Sequence, residues 1–364
     1  MKKGIILMPY VSGRGGTETV VHNLFSILND DNKISIRLLS IGGTSDYGWL
    51  NGVPYDMVKI SDHYKINENK VIRSIFYSSV LPIYLFRYIN KYKPDFIIST
   101  NPVMWFLAKK ITNYLKLRIP IIAWYHYSLK QHPIKEKFLT SADYYFAISS
   151  GIKQQLISLG INENKIYLIY NPVESDYRTL RRPKKKTNFI YVGRVMLNGQ
   201  KNCKELFKAL SMVNGEWVLH VYGGIFKNEK YKNDINKFID ALGIKNRIIF
   251  HGFANDPWAI IKNPSALILT SKFEGLPMVL CEAISHGVYS ISSDIETGPE
   301  DIINEKNGKL YELGNTDQLS CILQNIVDEG TDLPSEKVIQ STSKKFNIKN
   351  YEQYFTNSLL DIIS

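Results

Sequence analysis

Short, uninterrupted apolar runs alternate with stretches of helical periodicity along nearly the whole chain, and the alternation is broken only once. Ile5–Met8 is followed by Thr19–Leu28, where Val20, Val21, Leu24, Phe25 and Leu28 recur at helical spacing. Ile34–Ile41, Asp95–Ser99, Ile119–Trp124 and Asp143–Ile148 continue the series. A strand buried on both faces reads as a continuous apolar run, and helices between such strands supply the crossovers of a parallel sheet. At Asn171-Pro172-Val173 the pattern stops. A basic stretch with Arg178, Arg181, Arg182 and Lys184–Lys186 follows, and reads as a solvated linker. The alternation restarts with Phe189–Val192, Trp217–Tyr222, Arg247–His251, Ala266–Thr270 and Tyr289–Ser292, with helices over Cys203–Met212 and Asp234–Leu242. The expected organisation is two successive α/β domains, 1–175 and 176–345. A last helical segment within 346–364, Lys349–Ile363, packs back onto the first domain. A length of 364 residues gives each domain enough chain for its own core.

Composition removes several function classes. With 44% hydrophobic and 22% charged residues the chain is neither disordered nor fibrous. Cys203, Cys281 and Cys321 form no Cys-x-x-Cys and have no histidine at ligand spacing, so no structural zinc site is expected and no metal ligands are assigned. The apolar run after Lys2-Lys3 is too short for the core of a signal peptide, and no stretch of ~18 apolar residues would span a bilayer. A cytoplasmic protein is expected. The net charge of +11 is uneven: residues 1–177 hold 21 Lys/Arg against 13 Asp/Glu. Such a half suits an anionic partner, whether a phosphorylated sugar, an anionic membrane surface or nucleic acid. No nucleic-acid module is recognisable. Lys70–Lys93 mixes cations with Ile75, Phe76, Tyr77, Tyr84, Phe86 and Tyr88. It reads either as two short core-facing helices around Pro82 or as an interfacial segment on an anionic inner leaflet.

Three constellations carry chemistry. The first is Ser12–Glu18, SGRGGTE, between the first strand and the first helix, where glycines at 13, 15 and 16 let the backbone approach a ligand closely. Such a loop is either a tight βα turn or an anion cradle at a helix N-terminus. It fails the dinucleotide fingerprint because Glu18 stands where the third glycine belongs, and no Gly-Lys-Ser/Thr follows to make a P-loop. The second is Phe273–Ala283, in which Glu274 and Glu282 flank the start of a helix, with Pro277 expected as an early helical residue. Both carboxylates belong to the C-terminal edge of the sheet, where open α/β sheets bind ligands, and can accept from sugar and ribose hydroxyls. The N–H groups of Gly275, Leu276, Pro277 and Met278 are assigned to a diphosphate. The third is Gly193-Arg194 followed by Gly199-Gln200-Lys201-Asn202, where Arg194 and Lys201 suit a departing diphosphate.

Together these residues resemble the family 4 glycosyltransferases: the Gly15-Gly16-Thr17-Glu18 loop, the Arg194…Lys201 pair and Glu274-x7-Glu282. The resemblance spans the chain from Gly15 to at least Lys309. It implies the GT-B fold, two Rossmann-like domains facing across a cleft. It also implies transfer from a nucleotide sugar with retention of configuration, without a cofactor and without a metal. Carried over by position, Gly16 faces the donor phosphates, and Arg194 and Lys201 neutralise the leaving diphosphate. Glu274 holds donor-sugar hydroxyls and Glu282 the ribose, while Gly252 and Phe253 lie near the base. His126, at a strand end, lies under the transferred sugar; the alternative for it is a buried structural histidine. Longer stretches, including His126–Leu129, Ala147–Lys153 and Tyr170–Val173, are similar to galactosyltransferases within that family.

The expected reaction is therefore hexosyl transfer, galactose first, from a UDP-sugar to a lipopolysaccharide-core or other cell-surface glycan. Two alternatives are a nucleotide-sugar epimerase of the same fold and a non-catalytic glycan- or membrane-binding protein.

Overall fold

The computed structural model describes residues 1–13, 15–28, 33–58, 79–174, 178–224, 229–329 and 332–364. It divides into two compact units, Met1–Val173 with Ile348–Ser364, and Glu174–Asn347.

The first unit is built on a seven-stranded sheet in the order β3-β2-β1-β4-β5-β6-β7. Its strands are β1 (Lys2–Met8), β2 (Ile34–Ile41), β3 (Tyr55–Val58), β4 (Phe96–Ser99), β5 (Ile121–Trp124), β6 (Tyr144–Ala147) and β7 (Ile166–Leu168). Every pairing is parallel. Burial on both faces explains the unbroken apolar runs: all of Phe96–Ser99 and Ile121–Trp124 is inaccessible or nearly so. The crossover helices start on local signals. Asn101 caps Pro102–Tyr114 by accepting from Val103 N and Met104 N at 3.0 and 3.2 Å, and Ser149 caps Ser150–Ser158 through Ile152 N. The helix Ile348–Ile363 belongs to this unit. Tyr351, Phe355, Leu359 and Ile362 recur on its buried face, and the Phe355 ring lies 5.5 Å from Phe146 and 6.5 Å from Trp124.

The second unit repeats the plan with six parallel strands in the order β10-β9-β8-β11-β12-β13. These are β8 (Thr187–Val192), β9 (Trp217–Tyr222), β10 (Ile248–Gly252), β11 (Ala266–Leu269), β12 (Tyr289–Asp294) and β13 (Gly308–Glu312). In each sheet the order reverses once, between β1 and β4 and between β8 and β11. At such a reversal the loops leaving the C-terminal strand ends diverge and open a crevice at that sheet edge.

Two expectations are corrected. The basic stretch after residue 177 is not a solvated linker throughout. Arg178 donates to the carbonyls of Ala259 and Ile261, Arg182 donates to those of Leu333 and Pro334, and Leu180 N donates to His286 O. Guanidinium groups satisfy loop carbonyls here, while Lys184–Lys186 stay exposed. Pro277 precedes its helix as the cap residue, because its ψ of 97° is not helical, and the helix runs Met278–Ser285. Of the aromatic segment Lys70–Lys93, residues 70–78 lie outside the described residues. The rest forms a helix, Leu81–Tyr92, with Pro82 in its first turn, that buries Leu81, Leu85 and Ile89 and leaves Ile83 and Tyr84 exposed.

Candidate active site

Adjacent strands β8 and β11 send their loops out side by side, and these loops bring three of the anticipated side chains together. Lys201 Nζ lies 2.6 Å from Glu274 Oε1, with both side chains nearly nine-tenths buried. Gln200 joins the pair to the third. Its Oε1 accepts from Arg194 Nη2 at 3.1 Å, while its Nε2 donates to Phe273 O at 3.2 Å and to Glu274 Oε2 at 3.4 Å. Backbone contacts fix the frame: Lys272 N donates to Gln200 O at 2.8 Å, Tyr191 Oη donates to Arg194 O at 2.7 Å, and Thr297 Oγ1 donates to Glu274 O. Two cations against one carboxylate leave one net positive charge at the sheet reversal. An arriving diphosphate would compete with Glu274 for Lys201, and so free a carboxylate oxygen for a hydroxyl.

Glu282 lies within the helix Met278–Ser285. Its Oε2 accepts from Trp258 Nε1 at 2.8 Å, and the Trp258 ring stacks on His286 at 4.8 Å. Burial raises the Glu282 carboxyl above the usual carboxylate range, and the indole donor works against that rise. Gly275 and Leu276 lie on the turn before this helix. Pro277 has no N–H, so the diphosphate assignment reduces to Gly275, Leu276 and Met278. Gly252 ends β10 at φ 78°, and Phe253 beyond it is half exposed. They stand two strands from β8 in the sheet order.

The remaining anticipated residues belong to the first unit. Gly16 opens the helix Gly16–Leu28 and is exposed; Gly15 O accepts from Thr19 N. Glu18, on the first turn and buried, reaches back so that its Oε1 accepts from Gly13 N at 3.0 Å. A carboxylate therefore already holds part of the glycine loop. His126 follows β5, is 8% exposed, and its Nε2 has no hydrogen-bond partner among the described residues. Burial beside Trp124, 4.6 Å away, lowers its pKa to about 3, so the ring is neutral. Among the described residues no group of three His, Cys, Asp or Glu side chains is arranged to hold a metal.

Family models match both halves: glycosyltransferase family 4 over residues 14–177 and glycosyl transferases group 1 over residues 173–345. The chain is 34% identical over 352 residues to the lipopolysaccharide 1,6-galactosyltransferase of Escherichia coli strain K12, covering 94% of each. It is 33% identical to that of Salmonella typhimurium, covering 96% of each. The chain is a family 4 glycosyltransferase. Among solved structures, the apo form of the lipopolysaccharide outer core galactosyltransferase WaaB superposes with a TM-score of 0.83 at 32% identity, covering 99% of both chains. Anabaena Alr3699/HepE, solved with UDP, superposes at 0.79 with 17% identity over 99% of this chain and all of the other, a likeness of fold. The fold is GT-B.

In this glycosyltransferase, sequence reasoning passed over Gln200, Thr297 and Trp258. Gln200 stands inside the Gly199–Asn202 motif but carries no charge, so its residue type does not mark it. Thr297 and Trp258 are each more than twenty residues from the glutamate they meet, Glu274 and Glu282 respectively, and only the fold brings them together.

Proposed function

We propose that this glycosyltransferase moves a hexosyl unit, galactose before others, from a UDP-sugar to a hydroxyl of a lipopolysaccharide core or another cell-surface glycan, with retention of configuration. The observation that carries the reading is the Arg194–Gln200–Lys201–Glu274 cluster at the β8/β11 reversal. Breaking the C1–O bond gives the sugar oxocarbenium character and leaves charge on the diphosphate, so fixed cations beside the leaving group lower the barrier. In this reading Arg194 and Lys201 hold the diphosphate, and Glu274, released from Lys201, accepts from sugar hydroxyls. Glu282 receives the ribose, Gly252 and Phe253 lie by the base, and in the first unit Gly16 is assigned to the donor phosphates and His126 to the transferred sugar. No carboxylate is assigned as a nucleophile; the acceptor attacks the same face within an ion pair and the leaving phosphate takes its proton. Because two side-chain cations supply the charge, turnover is expected to survive excess EDTA.

A screen of UDP- and GDP-sugars, following nucleotide release and thermal stabilisation together, tests donor and activity at once. UDP-galactose is expected to give both, and release is expected to rise when deacylated lipopolysaccharide is added. An epimerised nucleotide sugar formed without acceptor would overturn transfer, and stabilisation without any release would leave a binding protein. Peripheral attachment to the inner leaflet is a further part of the proposal. The exposed Ile83 and Tyr84 support it, and no helix among the described residues is long and apolar enough to cross a membrane. Sedimentation with anionic but not neutral vesicles is the expected result.

A further inference from the structure

The helix Cys203–Ser211 starts from a residue in an unusual conformation: Asn202 stands in the left-handed region, at φ 47° and ψ 41°. An asparagine at this point ordinarily accepts from the N–H groups of the first turn. This one makes no such bond and donates from Nδ2 to Glu205 Oε2 at 2.5 Å. Glu205 is buried, and its other oxygen accepts from Gly314 N at 3.0 Å. From the opposite side Thr270 Oγ1, wholly buried at the end of β11, donates to the carbonyls of Lys201 and Asn202 at 3.1 and 3.2 Å. The helix's leading N–H groups are spent on the same loop: Cys203 N donates to Met196 O at 2.8 Å and Lys204 N to Leu197 O at 3.1 Å. They are not available to an anion, so the Lys201 ammonium is the positive group that this turn presents.

We infer that Asn202, held left-handed by Glu205 and Thr270, is a positioning residue whose turn aims Lys201 at Glu274 and at the diphosphate of the donor. A lysine stem is flexible, and a backbone that entered the helix without the left-handed step would carry its Cα–Cβ bond away from Glu274. Asparagine tolerates this conformation better than alanine does, and glycine adopts it freely. Alanine and glycine at 202 both lose the side-chain bond to Glu205 and both keep the backbone carbonyls that Thr270 holds, so the difference between them reads the backbone conformation alone. All of this matters for function only if Lys201 belongs to the donor site, as proposed above, and one double-mutant cycle separates the two ideas.

The variants are Asn202→Ala and Asn202→Gly, each alone and combined with Lys201→Met, with Thr270→Val as a second way to loosen the turn. The probe is UDP, titrated calorimetrically, alongside kcat with UDP-galactose. Asn202→Ala is expected to weaken UDP binding and lower kcat by about tenfold, and Asn202→Gly to stay within about twofold of the parent. In the Lys201→Met background the alanine change should cost no further UDP affinity, although it lowers the unfolding temperature as before. A purely structural turn would not show that loss of effect. Undiminished losses in the Lys201→Met background, or glycine as poor as alanine, would overturn the inference while leaving the donor site standing. Parental UDP affinity and rate in Lys201→Met alone would remove the donor-site reading and the inference with it.

Discussion

Lys201 and Glu274 hold opposite charges with nearly nine-tenths of each side chain buried, and each is the other's charged partner. Breaking a buried pair by removing one partner leaves a poorly solvated charge, at a cost of about 3–5 kcal/mol, to be discounted here because a little over a tenth of each side chain stays accessible. Lys201→Met should therefore lower the unfolding temperature and, separately, slow transfer about a hundredfold, or ~3 kcal/mol in the barrier. Unfolding curves and steady-state rates read the two effects, and an unchanged rate would remove Lys201 from the reaction. Gln200→Ala should give a smaller loss, because Arg194 then keeps its charge but loses its tether to Glu274. Charged side chains at strand ends were legible in the sequence, since their chemistry shows in the residue type. The amide between them was not, because its role exists only once the Lys272–Gln200 backbone bond closes the loop.

At the scale of elements, the buried strands were readable and the edges mostly were not. Phe96–Ser99 and Ala266–Leu269 are wholly buried, so their apolar runs are unbroken. Tyr55–Val58, Ile166–Leu168 and Gly308–Glu312 were missed, and each is an edge strand with mixed burial and no continuous run. The start at Cys203 was read correctly, but the first helix was read late for the same kind of reason. Gly16–Leu28 begins three residues before its apolar periodicity, where a backbone bond and Glu18, not hydrophobic burial, organise the first turn. Between elements the backbone itself sets a limit at Gly223. A methyl group there would lie 1.8 Å from Gly193 O, on the loop that carries Arg194. Gly223→Ala must push that loop aside, with a loss of about 1–3 kcal/mol of stability and weaker UDP binding. Thermal unfolding with and without UDP tests it, and full UDP stabilisation in the variant would show that the loop had not moved.

For the whole molecule, the sequence carried the repeated plan because each parallel sheet writes its own alternation of apolar runs and periodic helices, and the alternation breaks where one unit ends and the next begins. What it did not carry was the proton balance that the plan creates, because that depends on depth of burial. Burial holds His220, His251 and His286 below the ordinary histidine range, and His126 at about 3. An unfolded chain takes a proton at each near pH 6.5. Between that pH and the folded value the unfolded state binds more protons, so stability is intact above about 6.5 and falls as the solution is acidified. His126 alone should contribute a slope of about 1.4 kcal/mol per pH unit through that window. His126→Asn keeps a smaller polar side chain beside Trp124 without a group that titrates there. Its stability at pH 7 is open to change for packing reasons, but its acid limb should be shallower than the parent's by about one proton. Urea midpoints at intervals from pH 7 to pH 4 read the two slopes directly. Parallel limbs would mean that His126 is protonated as readily in the fold as out of it, and therefore that it is not held as a neutral ring by burial beside Trp124.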